Sequence, residues 1–190
     1  MDNNSHSSLD ICAHQSAEFS HQVNANILRE DSVPASATTA FLDAGTFAAV
    51  IASTPLIAID LIVEDEHGAV LLGLRNNPPA QGYWFVPGGR IRKDETRNDA
   101  FARLAQEELG LQAVMTQSRC VGIYEHFYDT NFNGTPGATT HYIVLAYCLR
   151  IKRESLQLPL EQHSQYIWMQ RDQIVQRADV HPYAQAYFLN

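Results

Sequence analysis

The chain has 190 residues, with 21 acidic against 13 basic side chains, a formal charge of -8, and hydrophobic residues at 45%. That size and apolar content suit one domain with a real core, and the acidic balance argues against a nucleic-acid polymer as partner, because phosphate-backbone affinity comes from basic patches. No apolar run approaches bilayer length, and the N-terminus, with no Lys or Arg before Arg29, lacks the form of a secretory signal, so no membrane association is expected. Cys12, Cys120 and Cys148 have no metal-type spacing, and reduced thiols in apparent strands fit a reducing cytoplasm.

Residues 1–38 are rich in Ser, Asn, His, Gln and Ala with little periodicity, and a disordered or loosely helical extension is expected there. Its His6, His14 and His21 lack the partner pattern of a metal site. One domain is expected over 39–190. Residues 41–53 carry Phe41, Phe47, Val50 and Ile51 at helical spacing and stop before Pro55. Residues 56–63 read as a buried strand, turned by Asp65-Glu66-His67-Gly68 into a second strand over 69–74. A short strand over 84–86 is followed by a helix over 96–109, which Gly110 ends as a left-handed cap. Strands follow over 121–127, 140–149 and 166–169, and helices over 174–178 and 182–188 close the chain. Mixed strands with helices on both faces predict an α/β fold, a mixed β-sheet in an α/β/α sandwich.

The segment from Pro87 to Leu111 joins a Gly-rich loop to a helix ending in paired carboxylates. Paired carboxylates beside a Gly-rich loop are hard oxygen ligands of the kind that hold a divalent cation whose shell is completed by water and phosphate. Gly88-Gly89 permits positive φ or close approach to a ligand. Ala100, Leu104 and Glu108 fall on one helix face, and Glu107, four residues after Arg103, is placed to pair with it.

These residues resemble the Nudix box, GX5EX7REUXEEXGU: Gly89, Glu95, Arg103, Glu107, Glu108, Gly110 and Leu111 fall in place, while the Glu expected after the arginine is Leu104. That departure is itself similar to the GDP-mannose mannosyl hydrolase branch of the superfamily, whose box carries Arg-Leu. The similarity extends over about residues 42–190, through Ser53-Thr54-Pro55-Leu56, the run from Pro79 to Arg90, His126-Phe127-Tyr128-Asp129, Thr139-Thr140-His141-Tyr142 and Glu161-Gln162-His163. The resemblance implies the Nudix fold and a homodimer with the first helix at its interface. It also implies Mg²⁺, or Mn²⁺ in its place, and water attack at C1 of GDP-mannose or GDP-glucose with inversion. By position it places metal ligands on the Gly88 carbonyl, Glu108 and Gln162, and the general base on His163. Residues that meet substrate charge or the leaving group fall on Asp60, Arg75, Arg90, Arg103, His126 and Tyr142. Glu107 departs from that branch, which has a small residue there, and leaves room for a second metal ligand.

Read as residues alone, His163 sits in a polar stretch after Pro159, where an imidazole titrating near neutral pH takes a proton from water. The loop between Tyr128 and Thr140 fits one that closes over substrate. Tyr83, Trp84, Phe85 and Phe127 are the candidates to stack on guanine, although alternation around Trp84 suits a core equally well. Two alternatives stay open: an ordinary pyrophosphohydrolase cutting P-O-P with Glu107 and Glu108 as ligands, and a silent sensor of sugar nucleotides.

Overall fold

The computed structural model describes residues 42–189; the expected extension over 1–38, its histidines, Cys12 and Phe41 lie outside the described residues. Helix α1 (Ala44–Ser53) begins where the Asp43 carboxylate accepts from the amides of Gly45 and Thr46, satisfying donors that the helix leaves unpaired. It buries Phe47 and Ile51 beside Leu56, at the start of the central strand.

That strand, β1 (Leu56–Glu64), is buried along nearly its whole length. A strand covered on both faces reads as a continuous apolar run, which Leu56-Ile57-Ala58-Ile59 and Leu61-Ile62-Val63 supply. It pairs in parallel with β6 (Thr140–Arg150) and antiparallel with β2 (Val70–Arg75) and β4 (Gly88–Arg90). β3 (Trp84–Phe85) and β7 (His163–Met169) pair with β2, and β5 (Arg119–Tyr128) pairs with β6, so the path runs β3-β2-β1-β6-β5. Helix α2 (Arg97–Leu109) covers one face, burying Ala100, Phe101, Leu104 and Leu109 on Ile59, Leu61 and Val63. The short α3 (Arg171–Ile174) and α4 (Pro182–Ala186) cover the other, where Ile174, Val180 and Ala184 meet Ile62, Leu72, Trp84 and Phe85. The expected α/β/α layers are present, with a mixed sheet.

Thr96 caps α2 by accepting from the Asp99 amide, and Gly110 ends it at φ +62°. Four differences from expectation have physical causes. β4 is an additional strand: Gly-Gly-Arg has no strand propensity of its own and is drawn out by its ladder to β1. β7 starts three positions early, at His163, which pairs with Arg75. β5 starts at Arg119, opposite Cys148. The helix expected over 174–178 lies instead over Arg171–Ile174: the Trp84 amide donates to the Asp179 carbonyl, and Val180 bridges to Trp84, which recruits the following residues as a partner for β3.

The turn before α2 is tied to that helix by Glu95, whose oxygens accept from Arg103 Nε at 2.6 Å and Nη2 at 2.8 Å, and from the Arg92 amide at 2.9 Å. The carboxylate is 6% exposed, so removing its charge leaves a buried guanidinium short of a partner. Glu95→Gln is expected to lower stability by about 3 kcal/mol, read as a fall in the denaturation midpoint at unchanged urea m-value.

Candidate active site

The cleft, about 350 Å³, opens where β1, β2, β4, β5, β6 and α2 meet. Asp60, Arg75, Gly88, Arg90, Arg103, Glu108, His126, Tyr142 and Gln162 all line it, although they are spread over most of the domain. His163 does not: its ring is fully buried under the floor, against Gly73. Of the candidate catalytic and metal-binding residues, His163 alone is displaced from the cleft.

The glycines bring the backbone close, though not by positive φ. Gly88 and Gly89 are extended in β4. A Cβ on Gly88 would come within 2.5 Å of the Ile59 carbonyl, and one on Gly89 within 2.6 Å of Leu104 Cδ2. The close approach is therefore to β1 and α2. The Leu61 amide donates to Pro87 and the Ile91 amide to Ile57, so bonded pairs recur at every second residue and include Ile59 with Gly89. Gly88 falls at a non-bonded position, which leaves its carbonyl outside this ladder.

On α2, Leu104 and Glu108 face inward and are 2% and 1% exposed. Burial raises the Glu108 carboxyl to a pKa of about 7, countered by Arg75 and reinforced by Glu107. Its Oε1 accepts from Gln162 Nε2 at 2.8 Å, while its Oε2 is buried without a hydrogen-bond partner. Glu107 turns elsewhere: Arg103 Nη1 donates to it at 2.8 Å and Arg92 Nη2 at 3.2 Å. Arg103 also donates to the Arg90 carbonyl at 2.9 Å, so its guanidinium is committed to protein oxygens and holds the site's frame rather than facing it uncommitted.

Arg75 and Arg90 are the cations left for an anionic ligand. Arg75 makes no side-chain hydrogen bond among the described residues, and Arg90 lies 3.7 Å over the Phe47 ring. Tyr142 lies close enough to Arg90 to be linked to it electrostatically, although burial raises its hydroxyl pKa. Asp60 is buried opposite them, and that burial raises its pKa to about 7 against the pull of the Tyr187 hydroxyl and Arg75.

The histidines differ from expectation. His163 belongs to β7, not to a polar loop, and burial, with Arg75 nearby, lowers its pKa to about 4 rather than leaving it near neutrality. It is a neutral imidazole with Nδ1 3.8 Å from Glu108 Oε2, and Nε2 has no hydrogen-bond partner. His126 is likewise neutral, lowered to about 4 by burial and by His181, and is stacked on Tyr183 at 4.3 Å.

Among the aromatic candidates only Phe85 lines the cleft. Trp84 is core, Tyr83 stands outside, and Phe127 is an exposed residue stacked on His141. Phe47, Tyr128 and Phe132 also line it, and nothing in their local sequence points inward. Phe132 is presented by the loop after β5, which Asn131 organises by donating to the Thr135 and Ala138 carbonyls, each at 2.8 Å.

Among the described residues no three carboxylates, histidines or cysteines converge as a metal cage. The donors present are one carboxylate with an orphaned buried oxygen, the Gly88 carbonyl and the Gln162 amide oxygen. Such a set suits a hard cation that keeps several waters and takes the rest of its shell from substrate phosphate.

Asp60 and Glu108 have folded pKa values above their unfolded ones, so the stability they allow is complete below the unfolded values near pH 4 and is lost as pH rises through about 7. The histidines His126, His163 and His181, lowered by burial to about 4, work the other way and add stability as pH rises to about 6.5. With divalent cations chelated, the share that Asp60 and Glu108 contribute is expected to fall by a few kcal/mol between pH 5 and 8. Asp60→Asn should flatten that fall, read from urea midpoints across the range.

The comparisons agree with this architecture. Over 118 residues the chain is 45% identical to low-salt glycan biosynthesis protein Agl8 of Haloferax volcanii, covering 62% of this chain and 72% of that protein. It is 32% identical over 118 residues to CTP pyrophosphohydrolase of Escherichia coli, covering 55% and 83%. Among solved structures, MutT protein from Methanosarcina mazei Go1 aligns with a TM-score of 0.58 at 21% identity, over 72% of this chain and 92% of that one. The NUDIX domain of Shewanella oneidensis NrtR, complexed with ADP ribose, aligns with a TM-score of 0.53 at 19% identity, over 77% and 95%. No helix among the described residues is long and apolar enough to cross a membrane. The NUDIX domain family model matches residues 54–189, and with the box helix and its glycine loop set against one sheet in this way, the chain belongs to the Nudix hydrolases.

Proposed function

We propose that the protein hydrolyses a nucleoside diphosphate sugar, GDP-mannose or GDP-glucose, by attack of water at C1 of the sugar, with inversion and release of intact GDP. One observation carries this reading: Leu104, buried on the cleft floor against Gly89, stands where the box otherwise has a carboxylate, and Glu107 is held by two arginines. A single carboxylate, Glu108, is left on this helix for a cation, too few for a cluster that both binds metal and activates water for attack at phosphorus.

In the proposed reaction a water oxygen bonds to C1 while the bond from C1 to the diphosphate oxygen breaks, its electron pair leaving with GDP. The chain's task is to stabilise that charge. Arg75 and Arg90 present guanidinium forks suited to phosphate oxygens, with Tyr142 beside Arg90 as a hydroxyl donor. Glu108, Gln162 and the Gly88 carbonyl would hold Mg²⁺. When bound, that ion neutralises charge on the leaving diphosphate. His163 is the proposed acceptor of the water's proton: it is neutral, its Nε2 is unpaired, and it adjoins Gln162 on the cleft wall. Asp60, already facing the cleft, is the acceptor if His163 is not. A cytoplasmic homodimer belongs to the same proposal.

The similarity to a protein named CTP pyrophosphohydrolase favours a second reading, hydrolysis between phosphorus atoms. Turnover of GDP-mannose with Mg²⁺ in ¹⁸O-labelled water separates the two. Label in free mannose with unlabelled GDP is expected; GMP with mannose 1-phosphate would place attack at phosphorus, and binding without turnover would make the protein a sensor. His163→Gln is expected to lower kcat by roughly 10²- to 10⁴-fold with KM little changed. An unchanged rate would transfer the acceptor role to Asp60.

A further inference from the structure

The C-terminal segment reaches back to the cleft. Tyr183, on α4, accepts from the Phe127 amide at 2.9 Å and donates to the Phe127 carbonyl at 2.7 Å, pinning the helix to strand β5. This anchorage delivers Tyr187, just beyond the helix, into the interior, where it is 7% exposed with its ring edge-on to Tyr124. Its Oη lies 2.5 Å from Asp60 Oδ2 and 3.2 Å from His126 Nε2. The other Asp60 oxygen faces β4, so close that a Cβ on Gly88 would stand 2.7 Å from it.

We propose that Tyr187 is a positioning residue: its hydroxyl fixes the Asp60 carboxylate and the His126 ring in the orientation that the cleft uses. A phenol has one proton to donate. Given to the Asp60 carboxylate, it leaves only lone pairs for His126, whose Nε2 must then carry hydrogen while Nδ1 stays bare. The chain of bonds therefore runs from His126 Nε2–H to Tyr187 Oη–H to Asp60 Oδ2, and the Tyr187 proton sets the direction of both. His126, held on its other side by face-to-face stacking on Tyr183, has its plane set by the same helix. One short segment thus orients two side chains that line the cleft from different strands. The catalytic part of this inference rests on the sugar-nucleotide hydrolysis proposed above; the tautomer does not.

The test pairs kinetics with ¹⁵N spectroscopy of the histidine rings at pH 8. The native protein is expected to show His126 as the Nε2–H tautomer, and Tyr187→Phe, which keeps the ring, should weaken that preference. Turnover of GDP-mannose by Tyr187→Phe should fall roughly 10- to 100-fold in kcat, with KM within about threefold, beside a lower melting temperature because a buried carboxylate and imidazole lose their shared partner. Combined with Asp60→Asn it should add less than its separate loss, because part of the hydroxyl's effect passes through the carboxylate. An Nδ1–H tautomer in the native protein overturns the proposal whether or not the variant folds, as does Tyr187→Phe with full kcat. Should the native protein release GMP instead of GDP, the proposed reaction falls, while the tautomer measurement still decides the role of Tyr187.

Discussion

Arg103 is the contact on which the site's geometry depends. A guanidinium that is largely removed from water must have its donors met, and here they are met by Glu95, by Glu107 and by the Arg90 carbonyl. Those partners come from β4, from the turn after it and from α2 itself. One side chain thereby sets the distance between the glycine strand and the helix carrying Glu108. It also removes two charges from the competition for ligand: its own, and that of Glu107.

What remains in the cleft follows from burial. Asp60 and Glu108 are both held at pKa values near 7, and His126 and His163 are both held near 4. Low dielectric disfavours the charged form of each, so the carboxylates go up and the imidazoles go down. Arg75 and Arg90 stay charged beside them, and an anionic ligand meets a cavity whose fixed charge is mostly positive. A cation bound at Glu108 would return that carboxylate to its ionised form.

Local pattern carried the box well. The spacing of Arg103 and Glu107 foretold an ion pair along one helix face, and Gly110 foretold the left-handed cap; both are present. Leu104 was legible as the missing carboxylate, and its inward face followed from its register with Ala100 and Glu108. Where pattern failed, pairing partners distant in sequence had taken over. Gly88-Gly89-Arg90 is a strand because β1 lies beside it, and His163 is a strand residue because Arg75 lies opposite. A polar stretch with a histidine looks like a solvated loop until the register of its neighbour is known.

The sequence by itself determined the mixed α/β layers and the box with its altered carboxylate, because each is written in spacing along a single element or in a contiguous motif, whereas Asp60, Arg75, His126 and Tyr142 entered only through the resemblance. Only the tertiary structure decided which of those groups face the cleft and in which charge state. Asp60 and Tyr187 are 127 residues apart in the chain and bonded in the fold; His163 lies under Glu108 rather than in water. Side-chain direction and desolvation arise when separate elements pack together, and no single stretch of chain encodes either.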